Sequence, residues 1–241
     1  MHRFYGPLGP DGRALLSPEE ARHALRVLRL SPGDPCELIA EGRRYRGVLL
    51  EGGRIEAIEE LPSTEPSLRI TLFQGLPKGE KMDWIVQKAA EIGVCRVVPV
   101  IMNRCIVKLT PPEGQKKAQR WQRIVLEACK QSGRTEIPTV EDPVPFSALS
   151  ALSGSLQACA VPWEEEKSRG PAGFLRAHPD LRSLGLLIGP EGGIEPQEIA
   201  QLRDRFEPIT LGPRILRTET AGLAACAAML ALRGEMEGTE G

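Results

Sequence analysis

Two short loops concentrate residue types that can do chemistry. Residues 189–193 read Gly-Pro-Glu-Gly-Gly and follow an apolar run at 184–188. Their glycines leave amides and carbonyls bare to a ligand, and Glu191 adds a carboxylate. Phosphate loops pair such amides with a lysine or keep negative charge away, because a helix N-terminus attracts anions. Glu191 opposes that use. The spacing also matches neither G-x-G-x-x-G nor G-x-x-x-x-G-K-[ST], so a neutral or cationic ligand with hydroxyls suits the loop better. The plain alternative is a strand-to-helix turn in which Glu191 helps to cap the next helix.

The second loop follows Thr210-Leu211-Gly212-Pro213, which repeats the strand exit Leu187-Ile188-Gly189-Pro190. It brings Arg214, Arg217, Thr218, Glu219 and Thr220 into seven residues just before a helix. Thr218 as N-cap and Glu219 in the first turn account for two of these polar groups. The arginines are disfavoured near a helix N-terminus unless an anion is bound there.

The elements that must position these loops follow from hydrophobic period. A strand at 68–73, a helix at about 80–92 stopped by Gly93, a strand at 94–101 and a helix at 114–131 come first. Apolar runs at 157–161, 184–188 and 208–211 then alternate with helices at about 196–206 and 219–233. Strands alternating with helices predict an α/β domain with a mostly parallel, doubly covered sheet. Residues 163–182 read as a mobile surface excursion, and Trp84, Trp121, Met82 and Met229 as core. The first 60 residues carry closely spaced turn signals, with one helix opened by Ser17, Pro18 and Glu20 as a capping box. A small β-barrel with one helix is expected there, and the polar, proline-bearing stretch 60–67 reads as a linker. The expected domains are 1–66 and 67–241.

Six cysteines scattered singly and three histidines give no metal-site spacing, so no metal is expected and the thiols read as reduced. His23 reads as a surface or packing residue. With no apolar run near membrane-span length and no signal-like N-terminal segment, a cytoplasmic protein without a membrane partner is expected. Net charge is −1, yet residues 78–134 hold twelve Lys/Arg against five Asp/Glu, so a polyanion partner competes with a solvated helix face. The small-residue final helix favours a two-fold dimer. A nicotinamide-dependent oxidoreductase lacks its glycine fingerprint here; a non-catalytic RNA-binding assembly factor is the other alternative.

Six ordered blocks, at 22–29, 79–82 with 87–94, 103–108, 121 with 127–134, 186–193 and 211–220, resemble the RsmE family of small-subunit ribosomal RNA methyltransferases in the SPOUT superfamily. The resemblance spans nearly the whole chain. It implies a PUA-like N-terminal β-barrel, a C-terminal SPOUT-type parallel sheet with a trefoil knot, and a homodimer that binds S-adenosylmethionine. The implied reaction is methylation of N3 of one uridine in 16S ribosomal RNA, within the small ribosomal subunit. The implied cofactor residues are Leu187, Ile188, Gly189, Pro190, Glu191, Gly192 and Gly193 in the first loop, and Leu211, Gly212, Leu216, Arg217 and Thr218 in the second.

Because uridine N3 carries a proton, Glu219 is the candidate acceptor, with Arg217 and Arg214 stabilising charge on uracil or gripping phosphate. Candidate RNA contacts are Arg22, Arg26 and Arg29 on the first helix, Arg43, Arg44 and Arg46 in a hairpin, and Arg104, Lys108, Arg120 and Arg123.

Overall fold

The computed structural model describes residues 1–237, which divide into two compact units: 1–65 with 129–137, and 66–128 with 138 onward.

The first unit holds β1 (His2–Tyr5), β2 (Arg13–Leu15), α1 (Pro18–Arg22), β3 (Pro35–Ala40), β4 (Arg43–Leu50) and β5 (Arg54–Leu61). Glu41 and Gly42, both at positive φ, turn β3 into β4, as a tight hairpin requires. The strands run β1-β3-β4-β5-β2, with β1 and β3 parallel and the other pairs antiparallel. This sheet curls into a half-barrel around Phe4, Leu38, Leu49 and Ile55, all fully buried. The ring of strand pairs expected of a barrel stays open between β1 and β2. There the 6–9 segment spans the gap: Gly9 N donates to Arg13 O (2.7 Å) and Leu8 bridges Ala14.

Ser17 caps α1 by accepting from Glu20 N (3.2 Å), but the reciprocal half of the expected capping box gives way to an ion pair of Glu20 with Lys130. After one turn the helix widens into a π-helical turn, His23–Val27, and ends at Arg29 with φ +56°. Arg22, Arg26 and Arg29 are exposed on it, as is His23.

The stretch 60–67, read as a linker, contributes a buried anchor. Glu65 accepts from the Arg134 guanidinium (2.9 Å), Thr135 N (2.8 Å) and Glu136 N (3.1 Å), and Tyr5 donates its hydroxyl to Arg134 O (2.6 Å). Both charged side chains are more than nine-tenths buried.

The second unit contains β6 (Arg69–Gly75), α2 (Lys81–Ile92), β7 (Arg96–Ile101), most of α3 (Pro111–Ser132), β8 (Thr139–Val140), β9 (Val144–Pro145), α4 (Leu149–Ser153), β10 (Ala158–Pro162), α5 (Pro171–Ala177), β11 (Ser183–Ile188), α6 (Pro196–Leu202), β12 (Phe206–Ile209) and α7 (Thr218–Leu232). The order is β12-β10-β11-β6-β7-β8, with β9 also on β7 and every pairing parallel. Burial on both faces explains the unbroken apolar runs: Leu72, Phe73, Leu184, Leu186 and Leu187 are fully inaccessible.

Three expectations are corrected. α6 stops at Leu202, where a turn closed by Arg205 N donating to Leu202 O (2.8 Å) leads into β12, whose Phe206 packs edge-on to Phe73. Residues 163–182 are anchored: Phe174 of α5 is fully buried, Trp163 N donates to Ile209 O (3.0 Å) and Thr210 N to Arg169 O (2.8 Å). Trp121 is core, its indole donating to Asp83 (3.0 Å), whereas Trp84 is 50% exposed. α2 buries Met82, Ile85, Val86, Ala89 and Ala90, and position 84 falls on the opposite face.

Desolvation alone would raise the Glu65 pKa, but bonds from Arg134 and two backbone amides outweigh it and hold the carboxyl below the ordinary 4.5. A depressed folded pKa gives stability that is present above the unfolded value and lost as pH falls through the folded one. Glu65→Gln removes the buried carboxylate that the Arg134 guanidinium is paired with and should cost about 3–5 kcal/mol. Unfolding followed from pH 7 to below about pH 4.5 should show the wild type losing a stabilisation that the variant lacks throughout.

Candidate active site

Parallel pairing brings the carboxyl ends of β6, β10, β11 and β12 to one edge of the sheet, where open α/β sheets bind ligands. Backbone meets backbone there. A Cβ on Gly75, at the end of β6, would lie 2.7 Å from Pro190 N, and one on Gly189 would lie 2.7 Å from Ile194 Cγ1. The second loop is tied to the first by the Thr218 hydroxyl, which donates to Gly189 O (2.6 Å) and accepts from the fully buried Gln74 Nε2 (3.0 Å). Thr218 therefore does not cap α7. Arg217 occupies the cap position, and Thr218 spends its hydroxyl across the loops.

Between the loops lies a cleft of about 620 Å³, walled by Ile188 through Ile194, by Ile215 through Thr218, and by Pro162, Glu164 and Ala221. Leu211, Gly212 and Arg214 line a smaller adjoining hollow with Trp163 and Lys167. Leu187 is fully buried in β11, one residue behind the wall.

Glu191 does not cap the next helix. Glu195 and Glu198 do that as a capping box, while Glu191 accepts from Lys78 N (3.2 Å) and pairs with Lys81 Nζ (3.0 Å). The same ammonium lies 3.1 Å from Glu219, so one cation joins the first loop to the first turn of α7. Burial works against the charge on Glu191, but its own amide, Lys81 and Lys78 N prevail and keep its pKa low. Glu219 is held low by its own amide first, and by Lys81 against the cost of burial. The Lys81 pKa is raised, chiefly by bonds to Glu191 and Glu219.

The 103–108 loop clamps the other side. Asn103 Nδ2 donates to Glu195 (3.0 Å) and Arg104 Nη1 donates to Gly192 O (2.9 Å). A Cβ on Gly192 would meet Arg104 Cβ at 2.9 Å, and Gly193 takes φ +74°. Arg104, chosen for RNA, thus also braces the glycine loop. Of the other candidates, Lys108 and Arg123 are exposed, and Arg120 pairs with Asp83. Arg43, Arg44 and Arg46 on β4 each pair with a carboxylate on an adjacent strand, Glu60 (3.3 Å), Glu37 (3.4 Å) and Glu59 (2.9 Å). No cluster of metal-ligating side chains occurs among the described residues, and no helix there is long and apolar enough to cross a membrane.

The family model for an RNA methyltransferase domain matches residues 64–230. Ribosomal RNA small subunit methyltransferase E of Bacillus subtilis is 34% identical over 229 residues, covering 88% of this chain and 87% of that protein. This chain belongs to that RNA methyltransferase family. The Aquifex aeolicus member is also 34% identical, over 92% of this chain and 95% of its own. A crystal structure of the Neisseria gonorrhoeae member bound to S-adenosyl methionine superposes with a TM-score of 0.78 at 35% identity, covering 96% of this chain and 98% of that one.

Sequence reasoning assigned no role to Lys81, Gln74, Glu164 or Ile215. The signal for Lys81 was present in the 79–82 block, but its partners lie far along the chain. Lys81→Met should raise the Glu219 pKa toward the ordinary 4.5, read by carboxyl-carbon NMR titration. An unchanged Glu219 titration would remove the ammonium as the cause.

Proposed function

We propose that this chain transfers a methyl group from S-adenosylmethionine to N3 of a uridine in the 16S ribosomal RNA of the small subunit. The observation that carries the reading is the cleft. Its walls are main chain at Gly189, Gly192 and Gly193, and it bears the carboxylates of Glu164 and Glu191 with no lysine among its lining residues. S-adenosylmethionine fits such walls: adenine edges suit backbone groups, ribose hydroxyls suit acceptors, and a sulfonium tolerates carboxylates. When bound, it supplies an electrophilic methyl group on a positively charged sulfur.

The remaining work falls to the chain. The loops must align the acceptor nitrogen and exclude water, which is positioning worth several orders of magnitude in rate. The N3 proton is assigned to Glu219, and the charge left on the uracil oxygens to Arg217 and Arg214. Its own amide and the Lys81 ammonium hold the Glu219 pKa below the ordinary carboxylate value and so weaken it as a base. The positive field of Arg217, a cleft-lining residue, must therefore carry more of the activation. Phosphate contacts are assigned to the basic positions of the sequence, led by the exposed Arg22, Arg26, Arg29, Lys108 and Arg123. A substrate in the ribosome places the reaction in the cytoplasm. The trefoil knot belongs to the same proposal, supported by the second loop returning against the first at Thr218 and Gly189.

A homodimer completes the reading. Thr220, Ala224, Ala228 and Leu232 follow one another at four-residue spacing on α7 and line an open groove of about 920 Å³ with Pro171 and Ala172 of α5. Small residues in that stripe let a second backbone approach closely. Light scattering should return the mass of two chains, and a monomer in dilute solution would end this part of the proposal.

The function itself is tested by nucleoside mass analysis of small-subunit rRNA after incubation with the protein and S-adenosylmethionine. N3-methyluridine is the expected product. Glu219→Gln should lower turnover by roughly 10²- to 10⁴-fold with cofactor affinity retained, and near-normal turnover would remove Glu219 from the proton-acceptor role.

A further inference from the structure

We infer that Ile106 and Ile215 are a pair of apolar wedges that hold the RNA strand unstacked over the cleft, a reading that rests on the proposed rRNA methyltransferase function. Among the described residues they are the two most exposed large hydrophobic side chains, at 73% and 81%. Ile215 stands on a loop of the cleft, and Ile106 on the loop that braces the cleft's glycine loop from behind Gly192. Ile215 lines the cleft itself, with Arg214 before it and Arg217 two residues beyond. Ile106 stands between Arg104 and Lys108, on the loop whose Arg104 holds Gly192 O and reaches Glu195 (3.6 Å).

A branched aliphatic tip held in water loses the gain of burial, so two such tips beside one cleft imply a partner that covers them. The flanking charge says which partner. Each isoleucine is bracketed by cations, as suits a polyanion whose backbone runs past an apolar tip. A ring nitrogen inside a stacked strand is out of reach of a donor held in a cleft, so the target base must leave the stack. An apolar side chain can fill the gap it leaves, while the flanking arginines and lysine hold phosphates on either side. Positioning of the acceptor nucleotide, and not chemistry at the methyl group, is the role assigned.

The test uses the full-length protein and the variants Ile106→Ser, Ile215→Ser, the double serine variant and Ile215→Leu. Methylation is measured on folded 16S rRNA and on a short unstructured oligonucleotide carrying the uridine located by mass mapping of nuclease fragments of the methylated rRNA. S-adenosylmethionine affinity and solution mass are measured in parallel. Ile106→Ser, outside the cleft's lining, should lose about threefold or more of kcat/KM on folded rRNA and less than about twofold on the oligonucleotide, with cofactor affinity and mass unchanged. The double serine variant should lose about tenfold or more on folded rRNA beyond any loss it shows on the oligonucleotide. Ile215→Leu should keep most of the wild-type rate. Equal losses on the two substrates or no loss on either in the serine variants, or weakened cofactor binding or a change of mass in Ile106→Ser, would each overturn the wedge role. A wild type that methylates neither substrate would instead bring down the functional reading on which the wedges rest, and the wedges with it.

Discussion

The cleft depends on main chain meeting main chain with no side chain between. Gly75 at the end of β6 lies against the Pro190 backbone, and Gly189 folds back on Gly193 and Ile194. Gly222 brings α7 down onto the same place: a Cβ there would sit 3.3 Å from Ile188 Cγ1 and 3.4 Å from Gln74 Oε1. Three segments distant in sequence therefore give up side chains at one point. Such glycines cost conformational entropy on folding, and the structure offsets it with specific bonds, Thr218 to Gly189 and Gln74 to Thr218. The parallel sheet makes the meeting possible, since the β6–β11 register from Arg69–Ser183 to Gln74–Ile188 places both strand ends level.

Charge completes what the backbone begins. Glu191 and Glu219 would repel if brought together alone, and Lys81 sits between them on α2. The ammonium lets a carboxylate-bearing loop and the first turn of α7 share one edge. It cancels one of the two negative charges and leaves the trio at a net −1. Arg104 and Asn103 do the equivalent on the opposite side of the glycine loop, but through neutral carbonyl and carboxylate acceptors. The loop is thus held from both sides by groups that do not fill the cleft.

The sheet was legible because its strands are buried on both faces and so read as unbroken apolar runs. The loops were legible because glycine and carboxylate together exclude phosphate sites. Partners were not legible. Glu191 could be read as a cap or a ligand group, and the choice of Lys81 depends on a pairing that only the fold creates. Thr218 looked like an N-cap because hydroxyls near helix starts usually accept from a backbone amide there; here the hydroxyl accepts from Gln74 Nε2 and donates to Gly189 O instead. Trp84 looked like core because helical spacing does not say which face is outside until Met82, Ile85 and Val86 are seen to point in. The 163–182 stretch reads as polar on average, yet one fully buried phenylalanine, Phe174, anchors it.

The same gap between composition and partners reorders the arginines of the half-barrel. Sequence counts each as one positive charge. In the fold, Arg43 and Arg46 face Glu60 and Glu59 with more than half of each side chain exposed. Exposed pairs of that kind contribute little and are screened by salt, so a phosphate can take the place of the carboxylate at small cost. Arg44 differs. It shares Glu37 with Arg3, and that carboxylate is nearly inaccessible, so withdrawing Arg44 would strip a counter-charge from a buried anion. Arg44 therefore belongs to the scaffold of the half-barrel, whereas Arg43 and Arg46 on the same strand hold exposed carboxylates. Arg44 and Arg46 lie two residues apart, on the same face of β4 by the pleat, so the division between them follows from the burial of their carboxylate partners and not from alternation along the strand.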